Sequence, residues 1–133
     1  MLYDRRQALF TTVALGAAGL MASAGVSFAN DNLEIIDPAS APADAHKTDI
    51  KDMVFTEPEI TVKAGSVVVW TNQDEIAHNV HFRGGPAKGF DKAQGPMLNH
   101  GQSYAVKFNA LGEYKYFCTP HSMVMKGVVK VEG

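Results

Sequence analysis

Gly112-Glu113-Tyr114-Lys115-Tyr116-Phe117-Cys118-Thr119-Pro120-His121-Ser122-Met123-Val124-Met125 is the stretch on which the reading of this chain turns. Its first half alternates, with Tyr114, Tyr116 and Cys118 on one face, as a half-buried strand does. Its second half breaks at Thr119-Pro120, because proline fixes φ and forces a tight turn. That turn brings a thiolate, an imidazole and a thioether together. They are three of the donor types of a His₂Cys electron-transfer copper centre with a long axial Met. The second imidazole must come from elsewhere. His78, in Ala77-His78-Asn79-Val80-His81-Phe82, is available far upstream. Met125 follows His121 by four residues and stays within reach of the same point, and Met123 is its rival. Zinc is the competing metal, but it favours Cys, His and carboxylate and gains little from a thioether.

Each of these residues also has a plainer reading. A lone Cys near a strand end is often a small buried hydrophobe, and Met123 or Met125 would serve as core fillers. His78 would serve as a hydrogen-bonded strand histidine. Those readings must hold jointly to explain a Cys-x₂-His-x₃-Met cluster together with an all-β domain. A nucleophile–base pair of Cys118 and His121 is a third reading. It lacks an orienting acid, an oxyanion motif and any substrate signature.

The N-terminus reads as an export signal. Arg5 and Arg6 open it, Ala8 to Asn30 carries no charge, and Ser27-Phe28-Ala29 ends it with small residues. A basic start, an apolar middle and a small-residue end describe a secretory signal, residues 1–29. Ala22-Ser23-Ala24 offers a second cleavage site, and the paired arginines admit a twin-arginine route. The many Gly, Ala, Ser and Thr residues argue against a membrane anchor. The expected compartment is the periplasm, where an unpaired Cys118 calls for a protecting role such as metal ligation.

What remains, residues 30–133, is one domain of ordinary size. The whole chain has net charge −2 with His neutral. Loss of Arg5, Arg6 and Asp4 with the signal makes it −3. A mildly acidic chain with no basic run argues against nucleic-acid binding. Residues 30–49, with Pro38, Pro42 and several alanines, read as an extended arm ahead of a domain spanning 50–133. Ile50–Phe55, Glu59–Lys63, Val67–Thr71, His78–Phe82, Ser103–Phe108, Glu113–Cys118 and Gly127–Glu132 read as short strands separated by Gly, Pro and Asn. An all-β antiparallel sandwich or barrel follows. In His78–Phe82, parity puts His78, Val80 and Phe82 on one face and Asn79 and His81 on the other. Arg83 to Asn99, rich in Gly and Pro, reads as a long irregular connection that helps to wall the metal site.

With these segments in hand, the chain resembles the cupredoxins, the type 1 blue copper proteins, and their amicyanin branch most closely. The resemblance rests on Pro58-Glu59-Ile60-Thr61-Val62-Lys63-Ala64-Gly65, Val69-Trp70-Thr71-Asn72, His78-Asn79-Val80-His81-Phe82, Gly95-Pro96-Met97 and Gly112 to His121. It implies a Greek-key β-sandwich holding one copper, with His78, Cys118 and His121 as equatorial ligands and His81 as a non-ligand. It also implies that Asn79 ties the ligand strand to the copper loop. The amicyanin pattern has two residues between the loop His and Met, which would put the axial ligand at Val124. Here the loop is one residue longer, and Met125-Lys126-Gly127 matches the family's Met-basic-Gly continuation. Met125 is therefore the expected axial ligand, with Met123 still the alternative.

The implied function is a monomeric periplasmic electron carrier, not an enzyme, cycling Cu(II)/Cu(I). Its implied donor is a quinoprotein amine dehydrogenase (methylamine dehydrogenase) and its acceptor a c-type cytochrome. Met53, Ala77, Met97, Pro120 and Met123 are expected to surround His121 as an apolar docking patch. A periplasmic copper-binding or delivery protein is the alternative.

Overall fold

The computed structural model describes Phe28–Ala29 and residues 32–133, so the export-signal reading of 1–29 lies outside the described residues except at Phe28–Ala29. Among the described residues the strands are β1 (Phe28–Ala29), β2 (Leu33–Ile36), β3 (His46–Lys51), β4 (Val54–Phe55), β5 (Glu59–Lys63), β6 (Ser66–Asn72), β7 (His81–Arg83), β8 (Ser103–Phe108), β9 (Gly112–Phe117) and β10 (Lys126–Glu132). They form two facing sheets, β1-β2-β8-β6-β3-β4 and β5-β10-β9-β7.

Alternation decides which side chains fill the space between the sheets. Trp70, Phe82, Phe108, Tyr114 and Tyr116 interlock there, all nearly inaccessible to solvent. Trp70 and Tyr116 meet edge to face with centroids 5.3 Å apart, and Phe108 and Tyr114 meet likewise at 4.8 Å. Each such pair is worth about 0.5–1.5 kcal/mol beyond burial alone. The Tyr114 hydroxyl also donates to the Ala110 carbonyl at 2.8 Å, which clamps the β8–β9 turn.

Three expectations change. Residues 33–36 and 46–49, placed by sequence in an arm ahead of the domain, are strands of the larger sheet. β2 pairs antiparallel with β8, and β3 runs parallel to β6. The reason lies in the Val67–Trp70 run, which is buried on both faces. Val67, Val69 and Ala105 form a second apolar cluster on the outer face, covered by Ile36, Ala41 and Ala45. The alanine-rich segment is thus a lid, and its small side chains let it lie close to the sheet. Second, the sandwich is mixed, since β5 also runs parallel to β10. Successive strands cross between sheets, so a returning strand is free to run either way. Third, Ile50–Phe55 is broken by a turn at Asp52 and Met53, with φ 57° and 61°. Two left-handed central residues make the type I′ hairpin that joins β3 to β4.

The edge strand β1 pairs with β2. Cleavage after Ala29 removes it and cleavage after Ala24 retains it.

Two outcomes are expected from this core. Gly127 lies opposite Tyr116 in the β9–β10 register, and a Cβ there would lie within 2.7 Å of the Tyr116 ring. Gly127→Ala should destabilise the domain by about 1–3 kcal/mol through overpacking, read as a lowered urea midpoint. Burial pushes the Tyr116 phenol up to about 12 from an ordinary 10.0, and Tyr104 is raised as well. A group whose folded pKa is raised stabilises fully below its unfolded value, and that contribution fades as pH rises through the folded one. Stability should therefore hold up to the ordinary tyrosine range and fall above it. Tyrosinate absorption should emerge together with loss of β-sheet circular dichroism, and early ionisation with the sheet intact would contradict the burial.

Candidate metal centre

The centre is assembled where β9 ends. Cys118 follows the last residue of that strand and is fully buried. Pro120 then shapes a single 3₁₀ turn, Thr119–His121, in which the His121 amide donates to the Cys118 carbonyl at 3.0 Å. The turn swings the His121 ring back, so that its Nδ1 lies 3.4 Å from the Cys118 sulfur. The loop continues with the amides of Val124 and Met125 both donating to the His121 carbonyl. It is closed by the Cys118 amide donating to the Met125 carbonyl at 3.1 Å. Met125 is completely buried, whereas Met123 is 86% and Val124 67% exposed.

His78 arrives from the opposite side. Strand β7 begins only at His81, so His78 precedes the strand that sequence alternation extended to it. It is instead held by an isolated bridge to Leu98, with amide–carbonyl bonds of 3.1 and 2.7 Å in the two directions. The irregular 83–99 connection thus does wall the site. Its residue Gly95 lies against Val80, where a Cβ would come within 2.6 Å of the Val80 carbonyl oxygen. His78 Nδ1 is 3.7 Å from the Cys118 sulfur, and the donor atoms of His78, Cys118 and His121 all lie within 4.8 Å of one another.

Asn79 and His81 share the other parity, and they meet one residue, Thr119. The Thr119 amide donates to Asn79 Oδ1 at 2.8 Å, while Asn79 Nδ2 donates to Thr119 Oγ1 at 2.9 Å and to the Gly95 carbonyl at 3.0 Å. His81 Nδ1 is 3.0 Å from the same hydroxyl, and its ring stacks on Phe117. His81 is therefore turned away from the three converging donors.

Sequence reasoning missed Asp74. Its Oδ2 lies 2.8 Å from His78 Nε2, and its carboxylate also accepts the amides of Asp52 at 2.8 Å and Met53 at 3.0 Å. A carboxylate on Nε2 keeps the proton there and leaves the Nδ1 lone pair facing the sulfur. Burial alone would raise the Asp74 carboxyl, but the Met53 and Asp52 amides and His78 outweigh it and hold the group below its ordinary value. Asn72, fully buried, organises the same loop by donating to the Ile76 and Leu98 carbonyls and accepting the Asp74 amide. A carboxylate four residues before the histidine is the signal that could have found Asp74.

The donor set suits a soft first-row metal. Two donors about 2.0 and 2.3 Å from one ion, at a trigonal angle, lie roughly 3.7 Å apart, and the observed separations are 3.7 and 3.4 Å. Burial pushes the Cys118 thiol up, opposed by the amides of Asn79 and His121 that face the sulfur. A coordinating metal overrides that and removes the proton outright. One thiolate and two imidazoles beside a buried thioether-bearing residue match copper rather than zinc.

Known proteins place the chain further. The amicyanin-alpha of Methylorubrum extorquens is 47% identical over 120 residues, covering 90% of this chain and 98% of that one. The amicyanin of Paracoccus versutus is 40% identical over 119 residues, covering 90% and 87%. The crystal structure of the Paracoccus versutus protein is 39% identical and covers 77% of this chain and 100% of that one, with a TM-score of 0.65. A Cu(I) form of an amicyanin variant is 35% identical with the same coverage and TM-score. The two-sheet sandwich is the cupredoxin fold. Residues 43–132 match the copper binding proteins of the plastocyanin/azurin family, and the chain belongs to that family.

Proposed function

We propose that His78, Cys118 and His121 hold one copper ion equatorially, that Met125 caps it axially, and that the protein carries electrons in the periplasm. The observation that carries this reading is the convergence of the donor atoms of His78, Cys118 and His121 within 4.8 Å of one another, with His78 and Cys118 buried. Bound copper supplies the one-electron Cu(II)/Cu(I) couple. The chain supplies a frame that does not depend on the metal, since backbone bonds close the loop of Cys118, His121 and Met125 and the Asp74 carboxylate holds the His78 ring. Four protein donors leave no open position for a substrate, unlike the sites of catalytic metals.

Access to the site is one-sided. Cys118, His78 and Met125 are buried, while His121 is partly exposed and surrounded in the loop by Pro120, Met123 and Val124. Met97, 44% exposed, is joined to the site through its neighbour Leu98, and Met53 through Asp74. An apolar rim around one exposed ligand edge suits the small, transient contacts of redox proteins. In the amicyanin-like reading, a quinoprotein amine dehydrogenase donates and a c-type cytochrome accepts. Residues 1–29 would direct export and leave a soluble carrier.

Addition of Cu(II) to the purified domain should produce an intense blue thiolate-to-copper band and a narrow copper hyperfine splitting in EPR, both lost in Cys118→Ala. A tetragonal Cu(II) spectrum would remove Cys118 from the equatorial plane and end the carrier reading. Copper that washes out during redox cycling would favour a delivery role instead. Met125→Ala should change the spectrum and the reduction potential more than Met123→Ala; the opposite order would reassign the axial ligand.

A further inference from the structure

The sequence has no basic run, yet the fold builds a basic cleft from three separate strands. On the outer face of the smaller sheet, Arg83 of β7 is in register with Lys115 of β9, which is in register with Val128 of β10. One row along, Lys126 is in register with Phe117. Together with Pro58, Tyr116 and Gly127, these residues line a cleft of about 250 Å³ that opens to solvent. All three cations are exposed.

The cations of this cleft are not neutralised from within. Among the described residues no carboxylate lies within 4 Å of Arg83, Lys115 or Lys126. Glu59, which shares their row, is instead bound to Lys130 at 2.6 Å. Glu113 faces Lys130 in the next row. Arg83 rests its guanidinium 4.8 Å above the Phe117 ring, which orients it without discharging it. His81 stacks on the same ring and is held below its ordinary pKa by burial and by the Arg83 charge. In a chain of net charge −2, three unpaired cations around one concavity form a local reversal of sign.

We propose that this cleft docks an acidic surface segment of a partner protein, with its carboxylate side chains entering between Arg83, Lys115 and Lys126. Val128 and Pro58 offer apolar wall to the methylene stems of such side chains, and the cations offer charge-assisted hydrogen bonds to their heads. The position adds meaning, resting on the electron-carrier reading above. Phe117, flanking the cleft, is peptide-bonded to Cys118. A partner seated here therefore lies beside the thiolate along the chain, on a face distinct from the apolar rim of His121. Complementary charge would speed encounter and fix orientation more than it would add affinity.

The test is an amide-resolved NMR titration of the full domain with a synthetic octaglutamate peptide. Shifts are expected at Arg83, Lys115, Phe117, Lys126 and Val128, with the Met123–Val124 loop unmoved. Binding should weaken about tenfold in the combined Arg83→Gln, Lys115→Gln and Lys126→Gln variant. It should also weaken between about 0.01 M and 0.15 M salt, as the Debye length falls from about 30 to about 8 Å. Lys47→Gln with Lys107→Gln, on the other sheet, should change neither. Shifts confined to the His121 loop, indifference to the triple substitution, or no shifts at all would overturn the proposal. Equal response to inorganic phosphate would also overturn it, marking the cleft as a small-anion site only. None of these readouts uses the blue band, so a failed cleft and a failed copper centre are told apart.

Discussion

The paired hydrogen bonds between Asn79 and Thr119 are the constraint on which the centre depends. They join two segments 40 residues apart, one carrying His78 and the other Cys118 and His121. Neither segment could fix the distance between sulfur and imidazole alone, because each ends in irregular backbone. Both Asn79 bonds are made in or at the edge of the core, where a broken partner leaves a desolvated polar group costing about 1–3 kcal/mol. The third Asn79 bond, to the Gly95 carbonyl, recruits the irregular connection into the same frame. One buried amide thus ties together the segment that carries His78, the loop that carries Cys118 and His121, and the 83–99 wall.

A second frame stands behind His78. The Asp52–Met53 turn places two non-glycine residues in the left-handed region, at roughly 1–2 kcal/mol each. The Asp74 carboxylate accepts both of that turn's amides and meets His78 Nε2 with the same group. Strain in a hairpin of the larger sheet is thereby offset at the carboxylate that orients the His78 ring. The arrangement couples the register of β3 and β4 to the direction of one lone pair.

Much of this was legible in the chain, and the limits have physical causes. Cys118, His121 and Met125 were readable as a candidate group because ligand chemistry requires rare residue types at short spacing. His78 was a candidate because the site needs a second imidazole, and the family resemblance chose it over His81, although the strand that parity assumed begins only at His81. Asp74 was passed over, since a loop carboxylate four residues before a histidine is a faint signal whose meaning shows only once Asp52, Met53 and His78 surround it. β2 was missed because four residues show too little alternation. β3 was shortened because the signal of Ile50 ran on into a turn of non-glycine residues, which no local preference announces. The outer cluster around Val67 and Val69 showed itself only as a run lacking polar alternation; what covers it, Ala41 and Ala45, has the composition of a linker. The basic cleft had no linear trace at all, as its three cations come from three strands.

The two loop methionines show how packing can separate residues that composition cannot. Met123 and Met125 share one chemistry and sit two positions apart, so sequence leaves both as axial candidates. The loop backbone distinguishes them. The His121 carbonyl accepts the amides of both Val124 and Met125, and the Met125 carbonyl in turn accepts the Cys118 amide. That last bond draws Met125 beneath the loop, and its side chain is wholly buried, while Met123 before it is left outside. Moving Met123 inward would require breaking the bond that closes the loop on Cys118, and it would strip an apolar side chain from the rim around His121. The extra residue between His121 and Met125 is absorbed as exposed loop, leaving the closure on Cys118 intact. The same geometry therefore turns Met125 inward, as its proposed axial role requires, and leaves Met123 on the exposed side of the loop.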